Sequence, residues 1–334
     1  MDTLLSDIRF ATRSLIRSPS FTITAVLALG GNALARAGEP PTITNQFRHA
    51  RESIAPIVEL ARDGWNIAIV HGNGPQVGDE LARNEVARES VEPLPLGVLV
   101  AETAGWIDYM LQQSLQNALG RAGIARDVAT VVTQTLVDPA DPALADPTKP
   151  IGHALTQERA DALRAAGVSV KRDGAGQWRR MAFSPRPLAI VEAPLVLRLV
   201  QQGIIVIAAG GGGPPVYREP AGGLEGVDAV VDKDLVAAML ARQLGAEVLM
   251  ILTDVDAVYE SWGTPAQRPL RRLALTEADA LLAGSAVAAG SMRPKVEAAA
   301  GFVRGGGTRA VIARLSEGPA ALRGETGTTI VRNL

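Results

Sequence analysis

The stretch TITAVLALGGNA at residues 22–33 joins an apolar run to two glycines, and it admits two interpretations. In the first, the apolar run is a buried β-strand, and Gly30–Asn32 is a loop whose backbone N–H groups can approach an anion. In the second, the arginine-containing stretch at residues 8–26 is an export signal, cleaved after the A-x-A pattern of Ala33–Ala35. Cleavage there would delete the loop, so the remainder of the chain must distinguish the two interpretations.

The composition of the chain is typical of an α/β enzyme. Its 334 residues include 47% hydrophobic but only 4% aromatic side chains, together with 34 glycines. The net charge of −2 gives no basic field, and we expect no nucleic-acid partner. The lack of cysteine in the sequence excludes a disulfide framework, a thiolate nucleophile and a cysteine metal site. No segment contains the ~20 apolar residues of a membrane-spanning helix.

One unit recurs along the chain: a short apolar run, a loop rich in Gly or Asp, and a helical pattern. The runs and loops are ITAVLAL–GGNA, NIAIV–HGNGPQVG, GIIVIAA–GGGGPPV and EVLMILT–DVDAVY, and the strand-like runs RAVIA and TTIV follow. This alternation predicts an α/β fold, a three-layer αβα sandwich with a mostly parallel open sheet. Because ligands of such sheets bind beyond the carboxyl ends of the strands, all four loops are predicted to lie at the binding edge.

Two segments interrupt this pattern and predict a small protruding lobe inserted in the main domain, which spans residues 22–334. The Pro- and Asp-rich segment at residues 138–152 cannot form a helix or a central strand. Residues 168–183 indicate two short strands joined through Asp173–Gly176, a hairpin. We therefore predict a lobe at about residues 140–190.

The glycine-rich loops predict a phosphate site when they are taken together. Neither a Rossmann GxGxxG motif nor a Walker GxxxxGK[ST] motif occurs, and each loop alone is also consistent with a tight turn between strand and helix. Three such loops at one sheet edge would form a broad crevice lined by N–H groups. Such a crevice is suited to phosphates.

Lysine is rare in this chain, and three lysines stand at loop–helix junctions. Lys149 lies in PTKPIG, Lys233 in VVDKDLVAAML and Lys295 in GSMRPK, where each charge can be held over a phosphate. A solvated surface charge is the ordinary alternative for each. Asp232 and Asp234 flank Lys233, and they can act as N-caps of the following helix. Positively charged side chains and backbone N–H donors are the groups that phosphoryl transfer without a covalent intermediate requires.

The histidines indicate neither a metal site nor a nucleophile system. His49, His71 and His153 lack metal-ligand spacing, and we expect no protein-bound metal. His71 begins HGNG, but a single histidine at a strand end is more often structural. No GxSxG motif occurs in the sequence.

Eight motifs follow one another from about residue 24 to the C-terminus. They are ALGGNAL, NQ (Asn45-Gln46), HGNGPQVG, DPTKPIG, GGGGPPV, GVDAVVDKDLVAAMLA, TDVDAVYESWGTP and GSMRPK. In this order they resemble the carbamate kinases of the amino-acid kinase superfamily. The resemblance implies a cytoplasmic homodimer with an αβα fold and a lobe that closes on the substrate. It also implies the reaction ATP + carbamate ⇌ ADP + carbamoyl phosphate, with Mg²⁺ carried by the nucleotide.

The resemblance also assigns roles to residues by their position in the motifs. It implies that the transferring phosphoryl group meets Gly30, Gly31 and Asn32. The carbamate or carbamoyl end would be held by Gly72, Asn73 and Gly74. Because carbamate already carries an anionic oxygen, no general base is needed.

The remaining roles concern the charged groups and the nucleotide. Lys149 would reach in from the lobe, while Lys233 and Lys295 would bridge the phosphates. Asp234 would orient the lysines. The nucleotide would lie along Gly211, Gly212, Thr253 and Asp254, with Tyr259 and Met292 near the base.

Three positions depart from the family pattern. Arg293 stands where SMGPK has a glycine, two residues before Lys295. Ala104 and Asp108, in AETAGWIDYM, stand where an amide or acid and a glycine are expected. If the glycine that the family has at position 293 adopts a positive φ or touches the nucleotide, Arg293 would lower the affinity for the nucleotide or shift Lys295. We expect activity with altered affinity.

Two other functions stay open from the sequence. One is a related kinase that phosphorylates another small carboxylate, against which the lobe motif PTKPIG argues. The other is a catalytically impaired nucleotide-binding sensor, indicated by Arg293 and by the N-terminal residues.

Residues 1–21 precede the resemblance and look like the start of a permease subunit of macrolide-export type transporters. They contain an amphipathic helical pattern at residues 4–16, but the membrane helix of such a subunit does not follow. We therefore interpret the apolar run before Gly30 as a strand, and residues 1–21 as an extension, a fusion scar or the product of an upstream start site. Because one short amphipathic helix binds membranes weakly, we expect no stable membrane contact.

Overall fold

Strands and helices alternate along the chain. The computed structural model describes residues 22–31, 34–35, 39–174, 176–284 and 292–334. In these ranges the strands are β1 (Thr24–Leu29), β2 (Asn66–His71), β3 (Val128–Val131), β4 (Thr135–Val137), β5 (Lys149–Leu155), β6 (Val170–Arg172), β7 (Trp178–Ala182), β8 (Pro187–Ile190), β9 (Ile205–Ala208), β10 (Pro215–Arg218), β11 (Leu224–Gly226), β12 (Val248–Thr253), β13 (Val258–Glu260), β14 (Arg268–Leu270), β15 (Arg272–Ala274), β16 (Arg309–Arg314) and β17 (Thr328–Val331). The α-helices are α1 (Ile43–Ser53), α2 (Ala55–Arg62), α3 (Gly74–Ala87), α4 (Leu96–Arg121), α5 (Gln157–Ala165), α6 (Ala193–Gln201), α7 (Lys233–Gln243), α8 (Leu275–Ala283), α9 (Met292–Arg304) and α10 (Gly318–Leu322).

An eight-stranded sheet occupies the middle of the described structure, in the order β15-β17-β16-β12-β1-β2-β9-β3. Its strands are parallel from β16 to β3, and β17 is antiparallel to β16. Val26 and Ala28 of β1 join an apolar cluster with α7 and α9 on one face. Leu27 and Leu29 join a second cluster with α2 and α4 on the other face. The predicted three-layer αβα fold with a mostly parallel sheet is therefore confirmed.

Four neighbouring parallel strands end side by side. Leu29 at the end of β1 lies opposite His71 at the end of β2 and opposite Leu252 in β12. Strand β9 pairs with the other side of β2. The chain leaves these strands at Gly30, Gly72, Ala209 and Asp254. The four loops predicted to line the binding edge therefore start at the same edge of the sheet.

A separate small sheet contains β5, β7 and β6, in that order. Strands β6 and β7 are antiparallel and form the predicted hairpin. Pro150 lies in β5, an edge strand, where a residue without an N–H group is tolerated. Helix α5 packs on this sheet through Ala160 and Leu163. The predicted lobe of about residues 140–190 also includes β8, which pairs instead with β4 in a four-stranded sheet.

Some of the predicted features lie outside the described residues. These are Asn32 and the helical pattern at residues 4–16. Within the described ranges, no helix combines the length and the apolarity needed to cross a membrane.

Candidate active site

A carboxylate shared by two lysines lies at the carboxyl edge of the main sheet. Nζ of Lys233 donates to Oδ1 of Asp234 over 2.5 Å, and Nζ of Lys295 donates to Oδ2 over 3.0 Å. Lys233 and Asp234 open α7, whereas Lys295 lies in the first turn of α9. Two ammonium groups and one carboxylate leave a net positive charge, which suits an anionic ligand.

Asp234 stays ionised although its side chain is buried. Burial by itself raises the pKa of a carboxyl group, but the ammonium groups of Lys233 and Lys295 outweigh burial and hold the pKa of Asp234 far below its ordinary value. Burial lowers the pKa of Lys295, yet the charges of Asp234, Asp232 and Asp254 together outweigh burial and raise this pKa above its ordinary value. Burial lowers the pKa of Lys233, and Asp234 does not fully restore it because Lys295 opposes a second charge nearby.

We expect Asp234→Asn to lower the free energy of unfolding by about 3 to 5 kcal/mol at neutral pH, because two buried ammonium groups lose their counter-charge. Since the pKa of Asp234 is depressed in the folded state, its stabilisation is complete above the unfolded value of about 4 and is lost as the pH falls below it. Urea unfolding of both proteins over a pH series measures this. The difference should stay constant near neutrality and shrink in acid; a difference that grows in acid contradicts the assignment.

Lys149 reaches this cluster from the lobe. It is the first residue of the edge strand β5, and its Nζ donates to Oδ2 of Asp232. The other carboxylate oxygen of Asp232 accepts from the backbone N–H of Asp234 over 2.9 Å, which caps α7. The N-cap prediction is thus confirmed for Asp232, whereas the carboxylate of Asp234 binds the lysines instead. The structure brings all three predicted lysines to one pair of neighbouring aspartates.

The second glycine loop passes directly under Lys233 and lies against the first glycine loop. A Cβ atom on Gly72 would lie 2.9 Å from Cδ of Lys233 and 3.2 Å from the backbone N of Gly31. The N–H of Gly30 donates to the carbonyl of Leu252 over 2.9 Å, which ties this loop to β12. Because Gly72 has no side chain, the side chain of Lys233 can pack directly against the backbone at this position.

The third glycine loop follows β9 and contacts the second. Gly211 has φ +67°, and a Cβ atom there would come 2.1 Å from Nδ2 of Asn73. The same Nδ2 donates to Oγ1 of Thr103 over 2.8 Å, so Asn73 is fixed between α4 and the loop. Gly212 lies against the carbonyl of Val231, next to Asp232. Gly74 is the first residue of α3.

Only some of the predicted nucleotide-binding residues lie near the lysine cluster. Thr253 ends β12, and a Cβ atom on Gly30 would lie 3.7 Å from its Cα atom. The charge of Asp254 contributes to raising the pKa of Lys295, so Asp254 lies near that lysine. The Tyr259 hydroxyl donates to Asp256 over 2.9 Å, within its own loop, and Met292 is half-buried at the start of α9.

Two polar partners in the site were missed by the sequence reasoning. Thr103 holds Asn73, and Asp108 lies 2.7 Å from Nε2 of His71. Both come from α4, far from their partners in sequence, so no local pattern indicates them. Asp108 did stand out as a departure from the family pattern, which was the only available signal.

The lobe is seated on α3 by a contact between two glycines. A Cβ atom on Gly78 would lie 2.0 Å from the Cα atom of Gly152 in β5, so the two backbones touch. Strand β5 also carries Lys149. Glu85 of α3 forms ion pairs with Arg159 and Arg180 of the lobe. The position of Lys149 over the site therefore depends on this contact.

We expect Gly78→Ala to lower kcat/KM by about tenfold or more, because the added methyl group pushes β5 and Lys149 away. Steady-state kinetics measures the effect. Gly120→Ala is the matched control: Gly120 is also helical, in α4, with nothing within 4 Å of an added Cβ atom. Kinetics of Gly78→Ala equal to those of Gly120→Ala would contradict the role of the contact.

Within the described ranges, no group of three or more His, Cys, Asp and Glu side chains is arranged to hold a metal ion.

The sequence model of the amino acid kinase family matches residues 24–314. The chain belongs to the amino acid kinase family. The family resemblance inferred from the motifs is therefore confirmed.

Carbamate kinases are among the relatives most similar to this chain. The carbamate kinase of Pyrococcus horikoshii is 43% identical over 308 residues, which cover 91% of this chain and 98% of the relative. The carbamate kinase of Escherichia coli strain K12 is 47% identical over 308 residues, with 92% and 99% covered. A solved structure of carbamate kinase from Giardia lamblia bound to AMP-PNP has a TM-score of 0.85 and 38% identity, covering 93% of this chain and 99% of that chain.

Proposed function

We propose that this protein catalyses the reversible reaction ATP + carbamate ⇌ ADP + carbamoyl phosphate by direct in-line phosphoryl transfer. The observation that carries the proposal is the meeting of Lys149, Lys233 and Lys295 around Asp232 and Asp234, at the edge where three glycine loops begin. The carbamate kinases at 43% and 47% identity support the choice of substrate. A bidirectional kinase of this kind needs cations and N–H donors rather than a covalent nucleophile.

The two substrates would approach from neighbouring loops. The loop of Gly72, Asn73 and Gly74 would hold the carbamate or carbamoyl end, and Gly30, Gly31 and Asn32 would face the transferring phosphoryl group. The nucleotide would extend along Thr253, Asp254, Gly211 and Gly212, with Tyr259 and Met292 near the base. The AMP-PNP complex of the Giardia relative supports an adenine nucleotide.

The chemistry moves one phosphoryl group and no proton. An anionic oxygen of carbamate supplies the electron pair of the new O–P bond, and the bond between the γ-phosphorus and the β,γ-bridging oxygen breaks, with its pair leaving on ADP. Lys233 and Lys295 would neutralise charge on the oxygens of the moving group, where the preorganised pair with Asp234 needs no rearrangement. Lys149 would add a third charge once the lobe is seated.

Mg²⁺ would enter and leave with the nucleotide as part of the substrate. Its ordinary role in such reactions is to bind phosphate oxygens and offset their charge. Asp254, whose charge acts on Lys295, would lie beside the phosphates on the proposed path of the nucleotide. A cytoplasmic homodimer, as the family resemblance implies, completes the proposal, and light scattering on the purified chain tests the dimer.

Arg293 does not disturb the lysine cluster. Its side chain is exposed in the first turn of α9, while Lys295 in the same turn keeps its bond to Asp234. This geometry favours an active enzyme over an impaired nucleotide sensor. Arg293→Gly should therefore change kcat by less than about threefold.

The direct test mixes the full-length protein with Mg·ADP and carbamoyl phosphate and follows ATP formation in a coupled reaction. We expect rapid ATP formation with carbamoyl phosphate and turnover at least about 100-fold slower with acetyl phosphate. Faster turnover with acetyl phosphate would favour a kinase for another small carboxylate. A folded protein that binds ADP and forms no ATP would overturn the proposal.

A further inference from the structure

The buried pair of His71 and Asp108 lies directly behind the loops of the candidate active site. Nε2 of His71 is 2.7 Å from Oδ1 of Asp108, and the two side chains are 0% and 1% exposed. His71 is the last residue of β2, and Asp108 lies in the middle of α4. Neither residue has a direct contact with substrate in the proposed reaction. Buried ionisable pairs are costly to desolvate, so the pair calls for an explanation.

The imidazole ring touches residues near the start of two different loops. Nδ1 of His71 is 3.2 Å from the carbonyl oxygen of Gly72. Gly72 is the first residue of the Gly72–Gly74 loop, which we call the carbamoyl loop because it would hold the carbamoyl end of the substrate. A Cβ atom on Gly210 would lie 2.6 Å from Nε2, so the loop after β9 is packed against the other side of the ring. The ring therefore lies between the Gly72 loop and the Gly210 loop.

The orientation of the ring is set mainly at Nε2 by the contact with Asp108, which is the shorter of its two polar contacts. A carboxylate and a carbonyl oxygen both accept hydrogen bonds, so each ring nitrogen faces an acceptor. Because the ring is fully buried, removal of the Asp108 carboxylate leaves Nε2 of His71 without its hydrogen-bond partner. The ring would then turn toward another partner, and the Gly72 carbonyl would lose its fixed neighbour.

We propose that Asp108 is a positioning residue: by holding the imidazole ring of His71, it sets the Gly72–Gly74 loop and thereby the affinity for the carbamoyl end of the substrate. The inference rests on the proposed function. It adds to that function a residue, Asp108, that acts on the substrate loop only through His71. It concerns the carbamoyl phosphate side of the site, since the ring contacts the backbone carbonyl of Gly72, the first residue of the Gly72–Gly74 loop.

The test measures both KM values, kcat and the melting temperature of full-length Asp108→Ala and Asp108→Asn. Asp108→Ala should raise the KM for carbamoyl phosphate about tenfold, and it should raise the KM for ADP by a factor at least about threefold smaller, because the polar contact of the ring is with Gly72. Asp108→Asn keeps the volume and one acceptor oxygen, so its increase should be intermediate. If Asp108→Ala does not fold, Asp108→Asn decides alone, and a KM equal to that of the wild type overturns the proposal.

A structural control separates positioning from loss of helix packing. Leu115→Ala removes a buried side chain two turns further along α4, and it should lower the melting temperature without changing either KM. If Leu115→Ala raises the KM for carbamoyl phosphate as much as Asp108→Ala does, the proposal is wrong.

The route through His71 is tested by a double-mutant cycle. Adding Asp108→Ala to His71→Asn should change the KM for carbamoyl phosphate no further, because the ring that Asp108 holds is already absent. Additive increases would contradict the route. Wild-type ATP formation in the same series reports on the proposed function separately: a wild type that forms no ATP refutes the function, whereas an active wild type with unaltered Asp108 variants refutes only the positioning role.

Discussion

Replacing Lys295 by methionine is expected to lower kcat for ATP formation by about 100- to 1,000-fold. The ammonium group of Lys295 lies 3.0 Å from Oδ2 of Asp234 in a buried site, where a charge acts on phosphate oxygens with little screening. Methionine fills a similar volume without the charge, so the packing of α9 is largely kept. Steady-state kinetics at saturating substrates, with a melting curve of each protein, measures the effect.

Lys171→Met is the matched control for this prediction. Lys171 lies in β6 of the lobe, is partly exposed, and pairs with Asp146 at 2.7 Å. The same chemical change there should leave kcat within about twofold of the wild type, since exposed ion pairs contribute little. A folded Lys295→Met protein that turns over at the rate of the Lys171→Met protein would refute the assignment of Lys295 to the moving phosphoryl group.

The second large effect is expected from Gly211→Ala, with a fall in kcat/KM of about 100-fold. The added methyl group would come 2.1 Å from Nδ2 of Asn73, and the backbone at Gly211 has φ +67°, where alanine is strained. Asn73 would have to leave Thr103, and the carbamoyl loop would move with it. Steady-state kinetics with both substrates varied measures the loss.

Gly222→Ala separates this displacement from backbone strain. Gly222 has φ +95° in the turn between β10 and β11, and nothing lies within 4 Å of an added Cβ atom. It should lower stability by about 1 kcal/mol, as a left-handed alanine does, and leave kcat/KM unchanged. Equal kinetic losses in the two variants would mean that strain alone, and not the contact with Asn73, explains Gly211→Ala.

The main sheet was predictable because the sequence repeats one local pattern. Each buried run, such as that of β1, is short, continuous and followed by glycine or aspartate, which indicates a parallel strand ending at a loop. Parallel strands share one carboxyl edge, so the meeting of the loops after Leu29 and His71 followed from topology. The three lysines were predicted because lysine is rare and each one follows a loop.

The contacts that organise the site could not be predicted, because they join distant parts of the chain. Asp234 accepts from Lys295 across 61 positions, and His71 meets Asp108 across 37 positions. The contact of Gly78 with Gly152 depends on how the lobe is seated, which no local periodicity encodes. The different functions of Asp232 and Asp234 also depend on contacts between distant residues. Asp232 caps α7, whereas Asp234 binds Lys295 of α9.

Direct transfer within one site is tested most sharply by the stereochemical course at phosphorus. Carbamate and Mg·ATP with a chiral, oxygen-isotope-labelled γ-phosphoryl group would be converted by the full-length protein, and the configuration of the carbamoyl phosphate would be determined. One in-line displacement, stabilised by Lys233 and Lys295, predicts inversion. Retention would require two displacements through a phosphorylated enzyme, and it would contradict a site that works through positive charge and backbone donors alone.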